Sequence, residues 1–518
     1  MKNNDIPEAL TATGRVLEQS ENTFFGSDVY RSHAVPRAVV RPQTVDELRQ
    51  AVIAAAQADL AIHTRGGGVS YTDAHLPISP DSIVIDTSAL NNIIAIDDTD
   101  MTVTVEPGIS WEKLDAALAP YGLKVPFVGT FSGIAASVGG TITQNANGHG
   151  SNANGISAES VIAVDVMNID GEILRTSTTG KGDRQGRYRN YGPDLTGLFL
   201  GDSGALGIKT AVTLRLLRRR PHAETASFAF SSFASLHACM SEIAGMKLEE
   251  KSFGLDLKLS QGQIAKQDTG TAISVAKGVW KSSPNILSAI GSLVRLASAG
   301  KRVLASAPFA AHYICDGFTP TEARAKLDTI RKVALGHGRE IANSVPTVVR
   351  AMPFQPLHNM LGPQGERWVP LHGLLPHSQV AFFYAAFEKY VASKQSEMER
   401  SKAYIGAMFS SIGASTFLFE PALYWQDELA EYHLRMMEPA YLANLPRYPA
   451  NPAGAALVEK MRTDIITIMA EHGAGHFQVG KLYPYTEDRD PGAMSLLHSI
   501  KQEMDPKGLL NPGALGLS

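Results

Sequence analysis

Along the first part of the chain, apolar residues switch between helical spacing and short strand-like runs. Val45, Leu48, Val52 and Ile53 recur at the three- and four-residue intervals of one helix face. Thr44 and Glu47 have the capping-box spacing, so a helix is predicted from there to near Asp59. Leu60-Ala61-Ile62-His63 predicts a strand that empties into Arg65-Gly66-Gly67-Gly68-Val69-Ser70-Tyr71, and Ile83 to Asp86 predicts another. Ile93 to Ile96 and Thr102 to Glu106 flank the polar turn Asp97 to Asp100, a hairpin pattern. Pro107-Gly108 stops that strand, and Ser110 caps an amphipathic helix carrying Trp111, Leu114 and Leu118. Strands are predicted again at Val161 to Met167, Glu172 to Thr176 and Ala211 to Leu216, the last with Val212, Leu214 and Leu216 on one face.

Short strands mixed with occasional helices imply an α+β domain over residues 1–221. From Ser227 the texture changes to longer mixed segments richer in methionine and aromatics, which predicts a second domain over 222–480. Residues 481–518 form a turn-rich closing segment, where Pro506 and Pro512 restrict the backbone. The most apolar stretch, 284–314, is broken by Arg295, Lys301 and Arg302 and reads as a helix with its loop in the second domain, not as a membrane span.

At 518 residues the chain exceeds one compact core, which agrees with two domains. A net charge of -4 leaves no electrostatic footprint for nucleic acid, and the basic run Arg218 to Arg220 reads as a solvated edge. Two cysteines, Cys239 and Cys315, build neither a disulfide framework nor a four-thiolate metal site. The N-terminal residues hold no apolar signal core. A cytoplasmic protein is expected, with homo-oligomerisation left open.

Two glycine-rich segments carry the chemistry. Three adjacent glycines after a strand let successive N–H groups turn toward one point, which binds an anion such as a pyrophosphate. A dinucleotide loop of the Rossmann type would need those glycines to open a helix, whereas polar residues, Pro77, Pro80 and a strand follow here. A plain glycine turn is the alternative. The second segment runs through Gly129-Thr130-Phe131-Ser132-Gly133, Ser137-Val138-Gly139-Gly140-Thr141 and Asn145-Ala146-Asn147-Gly148-His149-Gly150. Small residues admit close backbone approach and the hydroxyls and amides offer hydrogen bonds, both of which a flavin needs along its ribityl chain and pyrimidine edge.

The runs RGGGVSY, SVGGTITQNANG, GPDLTGLFLGDSGALGIKTAVTLRL and DPKGLLNPG, in this order, resemble the vanillyl-alcohol oxidase/p-cresol methylhydroxylase flavoprotein superfamily. The third run is most similar to its branch of D-lactate and glycolate dehydrogenases. The resemblance implies an FAD-linked oxidase or dehydrogenase, with a two-subdomain α+β FAD-binding domain and an α+β cap shaping a pocket for a small-molecule substrate. By motif position, Gly66, Gly67, Gly68, Val69, Ser70 and Tyr71 would hold the pyrophosphate. Ser132, Val138, Gly139, Gly140, Thr141 and Asn145 would line the ribityl and pyrimidine side. Ile208 would meet the adenine half, and Asn511 would return to the flavin from the tail. Many relatives have a flavin-linked histidine where this chain has Val69, which implies dissociable FAD unless the cap supplies a link.

Oxidation of this class needs a base or a polarising group on the hydroxyl next to the reacting C–H. The resemblance of Glu471-His472-Gly473 to the hydroxy-acid dehydrogenase motif makes His472 a candidate base, with His476 beside it; both also read as hydrogen-bonded residues of a glycine-rich bend. Those relatives bind a divalent metal through that glutamate and two upstream histidines. Here only His372 and His377 stand in for the pair, at the wrong spacing, so no metal is expected. Lys481 and Arg350 are candidate partners for an anion. A missing metal motif and aromatic passages such as Phe417-Leu418-Phe419-Glu420-Pro421 favour a phenolic or lipophilic alcohol as substrate. A D-2-hydroxy acid is the alternative, and a flavin-binding protein without turnover a third reading.

Overall fold

Helix α1 (Val45–Gln57) starts where its sequence says it must: Thr44 Oγ1 accepts from Glu47 N at 3.2 Å and the Glu47 carboxylate returns to Gln43 N at 2.7 Å. This is seen in a computed structural model that describes residues 6–177, 188–260, 307–487 and 489–517. The helix lays Leu48, Ala51, Val52 and Ala55 on a three-stranded parallel sheet, where β1 (Ala38–Val40) and β2 (Ala61–Arg65) flank β3 (Ser82–Asp86). All residues of β3 are buried, as an apolar run between two parallel neighbours should be.

The hairpin β4 (Ile93–Asp97) and β5 (Thr102–Val105) opens a second sheet. Ser110 caps α2 (Trp111–Leu118) by accepting from Lys113 N at 3.2 Å. The strand pair that follows α2 is short, β6 (Leu123–Lys124) with a later partner. The second glycine segment contains a helix, α3 (Val138–Gln144), capped by Ser137, and one more turn, α4 (Ser151–Asn154), follows it. Sequence spacing gave no sign of α3, because paired glycines suppress helix propensity. Beyond it, β7 (Val161–Met167), β8 (Ile173–Arg175) and β9 (Ile208–Arg215) complete a five-stranded sheet ordered β4-β5-β9-β7-β8. Strand β10 (Leu217–Arg218) is the partner of β6.

The rest of the described strands form one antiparallel sheet. They are β11 (His222–Phe230), β12 (Lys251–Asp256), β13 (Phe309–Gly317), β14 (Arg339–Ile341), β15 (Arg367–Pro370), β16 (Gly373–Pro376), β17 (Ala403–Ile412) and β18 (Thr416–Trp425). Around it lie α5 (Phe233–Met246), α6 (Pro320–His337), α7 (Ser344–Ala351), α8 (Val380–Arg400) and α9 (Pro452–Glu471). The expected helix and loop at 284–314 fall mostly outside the described residues, and where the description resumes the chain enters β13. No helix among the described residues is long and apolar enough to cross a membrane.

The tail comes back to the start. After α10 (Pro491–Met504), Leu510 bridges Ile62 in parallel, extending the first sheet beyond β2. A buried ion pair fixes this return: Lys501 Nζ lies 2.6 Å from Asp505 Oδ2, and it also donates to Ala205 O at 2.9 Å and Leu510 O at 2.8 Å. The same carboxylate accepts from Leu509 N and Leu510 N. Removing the cation leaves Asp505 buried without compensation. Lys501→Met is therefore expected to destabilise the protein by about 3–5 kcal/mol in chemical unfolding, with loss of tail protection in hydrogen exchange.

Candidate functional site

β2 ends at Arg65, whose guanidinium lies between Phe24 and Phe25, 4.7 Å from each ring centre. From that anchor the chain turns through Gly66-Gly67-Gly68 against the residues that lead into α3. The approach is backbone to backbone. A Cβ on Gly67 would stand 1.9 Å from Ala135 O, and one on Gly66 would stand 2.1 Å from Ser137 Oγ. Gly68 has φ +68°, a conformation that costs an L side chain energy. On the other side, Gly139 packs so tightly on Pro107 that a Cβ would come within 2.5 Å of that ring. Among the described residues, the N–H groups of Gly67, Gly68, Val69 and Ser70 find no acceptor. Four free donors on a side-chain-poor turn are what an anionic diphosphate requires.

This cradle is one wall of a cavity of about 420 Å³ that runs to the antiparallel sheet. Gly66 to Tyr71, Ser132, Gly139, Gly140, Thr141 and Ile208 all line it. Thr141 is held in place by Trp111, whose Nε1 donates to its Oγ1 at 2.8 Å. The opposite wall is mainly apolar, with Phe253 and Leu255 from β12, Val345 and Val348 from α7, and Met408 from β17. Its polar members are few. Glu420, on β18 opposite Met408, has its carboxyl raised to about 7, and burial is the whole cause. Tyr71, hydrogen-bonded to Gln478, and Tyr424 both lie within electrostatic reach of Glu420, and burial pushes each phenol well above its ordinary range. Lys251 closes the list from β12, beside His149.

Other expected site residues lie elsewhere. Val138 is fully buried in the core and does not line the cavity. Asn145 ends α3 with φ +52° and spends its Oδ1 on Ala158 N at 3.1 Å. Asn511 supports the cradle from behind: its Oδ1 accepts from His63 Nδ1 at 2.8 Å and Lys481 Nζ at 2.7 Å, while its amide donates to Ala74 O and Ser203 O. Lys481, lowered to about 7 by burial, is used in the same tie and does not line this cavity. Arg350 faces Asp316 and Glu224.

The two candidate bases lie outside the cavity lining. His472 is the C-cap of α9, donating Nδ1–H to Ile468 O at 2.7 Å, and His476 donates to His372 O at 2.7 Å and stacks on Tyr483. Each imidazole gives its Nδ1–H to the bend that follows α9, and the cavity receives the next residues, Phe477 and Gln478, instead. His372 stacks on Phe477, His377 meets His237 at 3.2 Å, and Glu471 is exposed, so these side chains do not converge. No group of three His, Cys, Asp or Glu that could hold a metal occurs among the described residues.

Sequence reasoning missed Lys251 and passed over Glu420. Each had a signal. Lys251, Phe253 and Leu255 alternate on one strand face, and Glu420 interrupts an apolar strand; a charge in either setting faces a cavity or a partner.

Comparison with known proteins agrees with the cradle. Residues 36–177 match the family described as FAD binding domain, and residues 455–515 match FAD linked oxidases, C-terminal domain. D-lactate dehydrogenase [cytochrome] 1, mitochondrial, of Saccharomyces cerevisiae is 25% identical over 516 residues, covering 98% of this chain and 77% of that protein. Glycolate oxidase subunit GlcD of Bacillus subtilis is 26% identical over 215 residues, 42% of this chain and 44% of its own. The fold is shared with p-cresol methylhydroxylase with substrate bound, at TM-score 0.70 and 15% identity over 99% of this chain and 96% of the other. The 4-ethylphenol oxidase from Gulosibacter chungangensis gives TM-score 0.69 at 15% identity, over 98% and 96%. The relatives are oxidases and dehydrogenases, which removes the reading without turnover, and the yeast protein's name gives no support to a cytoplasmic location. Free backbone donors, glycine contacts that exclude any side chain and both domain matches agree: the chain carries an FAD binding domain and the C-terminal domain of FAD linked oxidases, and it is an FAD-linked oxidase or dehydrogenase whose cofactor is FAD.

Proposed function

We propose that this enzyme oxidises a small phenolic or other lipophilic alcohol bound against the apolar wall of the cavity, with Glu420 as acceptor of the substrate's hydroxyl proton. The observation that carries the reading is a lone carboxylate set into a mainly apolar wall. FAD, when bound, accepts the hydride from the carbon that bears the hydroxyl. In the proposal Gly67 to Ser70 hold the diphosphate through their N–H groups, and Thr141 and Ser132 serve the ribityl side. Phe253, Leu255 and Met408 exclude water, which strengthens every interaction of Glu420 inside the cavity. Tyr71 and Gln478 orient the hydroxyl near that carboxylate.

The same reading takes 1–221 as the FAD-binding domain, 222–480 as the cap and 481–518 as the returning segment. What supports the first division is that Leu217–Arg218 pair with Leu123–Lys124, whereas the strand from His222 joins the large antiparallel sheet. A D-2-hydroxy acid is the second reading, favoured by the names of the yeast and Bacillus relatives. Anaerobic flavin bleaching separates the two. The first predicts reduction by aryl alcohols; rapid bleaching by D-lactate or D-2-hydroxyglutarate alone would overturn it.

Glu420 must be ionised to take a proton, and its carboxyl keeps its own proton below about 7. Flavin reduction is therefore expected to slow as pH falls through that value and to level off above it. Glu420→Gln should lower the rate by about 10²–10⁴-fold and flatten the profile, measured by stopped flow. Gly67→Ala meets backbone that cannot yield, so it should be purified with little flavin absorbance, while Gly245→Ala, which meets open space, should keep its full colour. With Val69 in the cradle, acid precipitation should leave the flavin in the supernatant.

A further inference from the structure

β12 turns Lys251, Phe253 and Leu255 toward the cavity, and in that row the lysine is the odd member. It is only 6% exposed, and no carboxylate pairs with it among the described residues. The acids beside it on the chain are engaged elsewhere. Glu250 holds Lys124 at 2.5 Å, and Glu249 lies toward Ser252 and Tyr313. Across the sheet stands Ile314, which carries no charge. Three groups face Nζ: the Phe131 ring, 3.8 Å from its centre, the Phe253 ring at 5.7 Å, and His149 Nδ1 at 2.7 Å.

The imidazole fixes where the protons are. His149 Nε2 is 2.6 Å from Pro353 O, a pure acceptor, so Nε2 carries the hydrogen. Nδ1 is then bare and accepts from Lys251. Burial and the nearby lysine both push His149 well below its usual range, in keeping with a neutral ring. Lys251 thus gives one N–H to His149 and keeps its remaining positions for the cavity. A ring face attracts an ammonium without neutralising it.

We propose that Lys251 is the oxyanion anchor of the cavity: the substrate carries an acidic oxygen, phenolic or carboxylic, that ion-pairs with Nζ and so sets its orientation. This rests on the reading of the cavity as the substrate site. Glu420 stands in register with Met408 and Leu255 across the sheet, whereas Lys251 lies at the far end of β12, so the anchor and the proton acceptor are separate points. A two-point site suits a bifunctional substrate with an alcohol at one end and an acidic oxygen at the other.

Burial lowers Lys251 well below lysine's ordinary range, and an oxyanion at Nζ favours its charged form. The two oxyanion sources then differ in their proton count. A phenol brings its own proton to the ion pair. A carboxylate arrives already ionised, so its ion pair draws one proton more from solvent than the phenol's.

Calorimetric titration of the FAD-loaded enzyme with benzoate, benzamide and 4-chlorophenol, in two buffers of different ionisation enthalpy, tests the assignment. Benzoate is expected to bind at least about tenfold tighter than its neutral isostere benzamide. It should do so with one proton more taken up than 4-chlorophenol. Lys251→Met should erase the benzoate preference and Lys251→Arg retain it, at unchanged flavin content. Equal binding of benzoate and benzamide, a preference that survives Lys251→Met, or no binding of any probe would overturn the anchor. Should Lys251→Met fail to fold, the affinity ratio and proton count of the unaltered enzyme still decide. A benzoate preference in an enzyme whose flavin no alcohol bleaches would keep the anchor and remove the reaction.

Discussion

Two stretches of backbone touch with no side chain between them, and the working parts of this protein are arranged around that contact. Gly67 lies on the Ala135 carbonyl, with Gly66 against the Ser137 hydroxyl and Gly139 against the Pro107 ring. A Cβ on Gly67 would separate the segments, so the contact is obligatory. It brings the end of a parallel strand and the start of a helix to one spot, with free N–H groups directed inward. The large antiparallel sheet then needs only to cover the opening. Its strands can present any side chains to the cavity without altering the cradle, which divides the labour between a fixed cofactor wall and a variable substrate wall.

The polar groups on the substrate wall are few and under strong environmental control. Burial holds the Glu420 carboxyl near neutrality and lowers Lys251, and neither change depends on the other. In water both groups would be unremarkable ions. Inside the cavity wall they take, in the proposed reading, the parts of proton acceptor and oxyanion anchor.

Much of this architecture was legible in the sequence. The strands at 61–65, 82–86 and 161–167 and the helices after Thr44 and Ser110 follow from alternation, spacing and caps, because each is governed by its own residues. The cradle was legible for the same reason: glycines announce backbone geometry directly. The helix over Val138–Gln144 was hidden, since its two glycines disfavour the conformation that packing imposes. The polar side chains of the substrate wall were harder still. His472 and His476 stood in a motif and turned out to bond neighbouring carbonyls, whereas Glu420 and Lys251 stood in ordinary strands. Which face of a strand meets a cavity is decided by partners far along the chain, so a charge in an apolar strand signals a cavity or a partner without saying which.

The support behind the cradle has a temporal side. His63 and Asn511 are hydrogen-bonded across 448 residues of chain, and Leu510 lies along Ile62 as an added strand. A ribosome working at about 5–20 residues per second makes the second partner roughly 20–90 s after the first. During that interval the edge of the parallel sheet stands open and the glycine turn lacks its backing. Nascent chains must therefore pass through a waiting state that a chaperone could shield, and cofactor loading belongs after translation rather than alongside it.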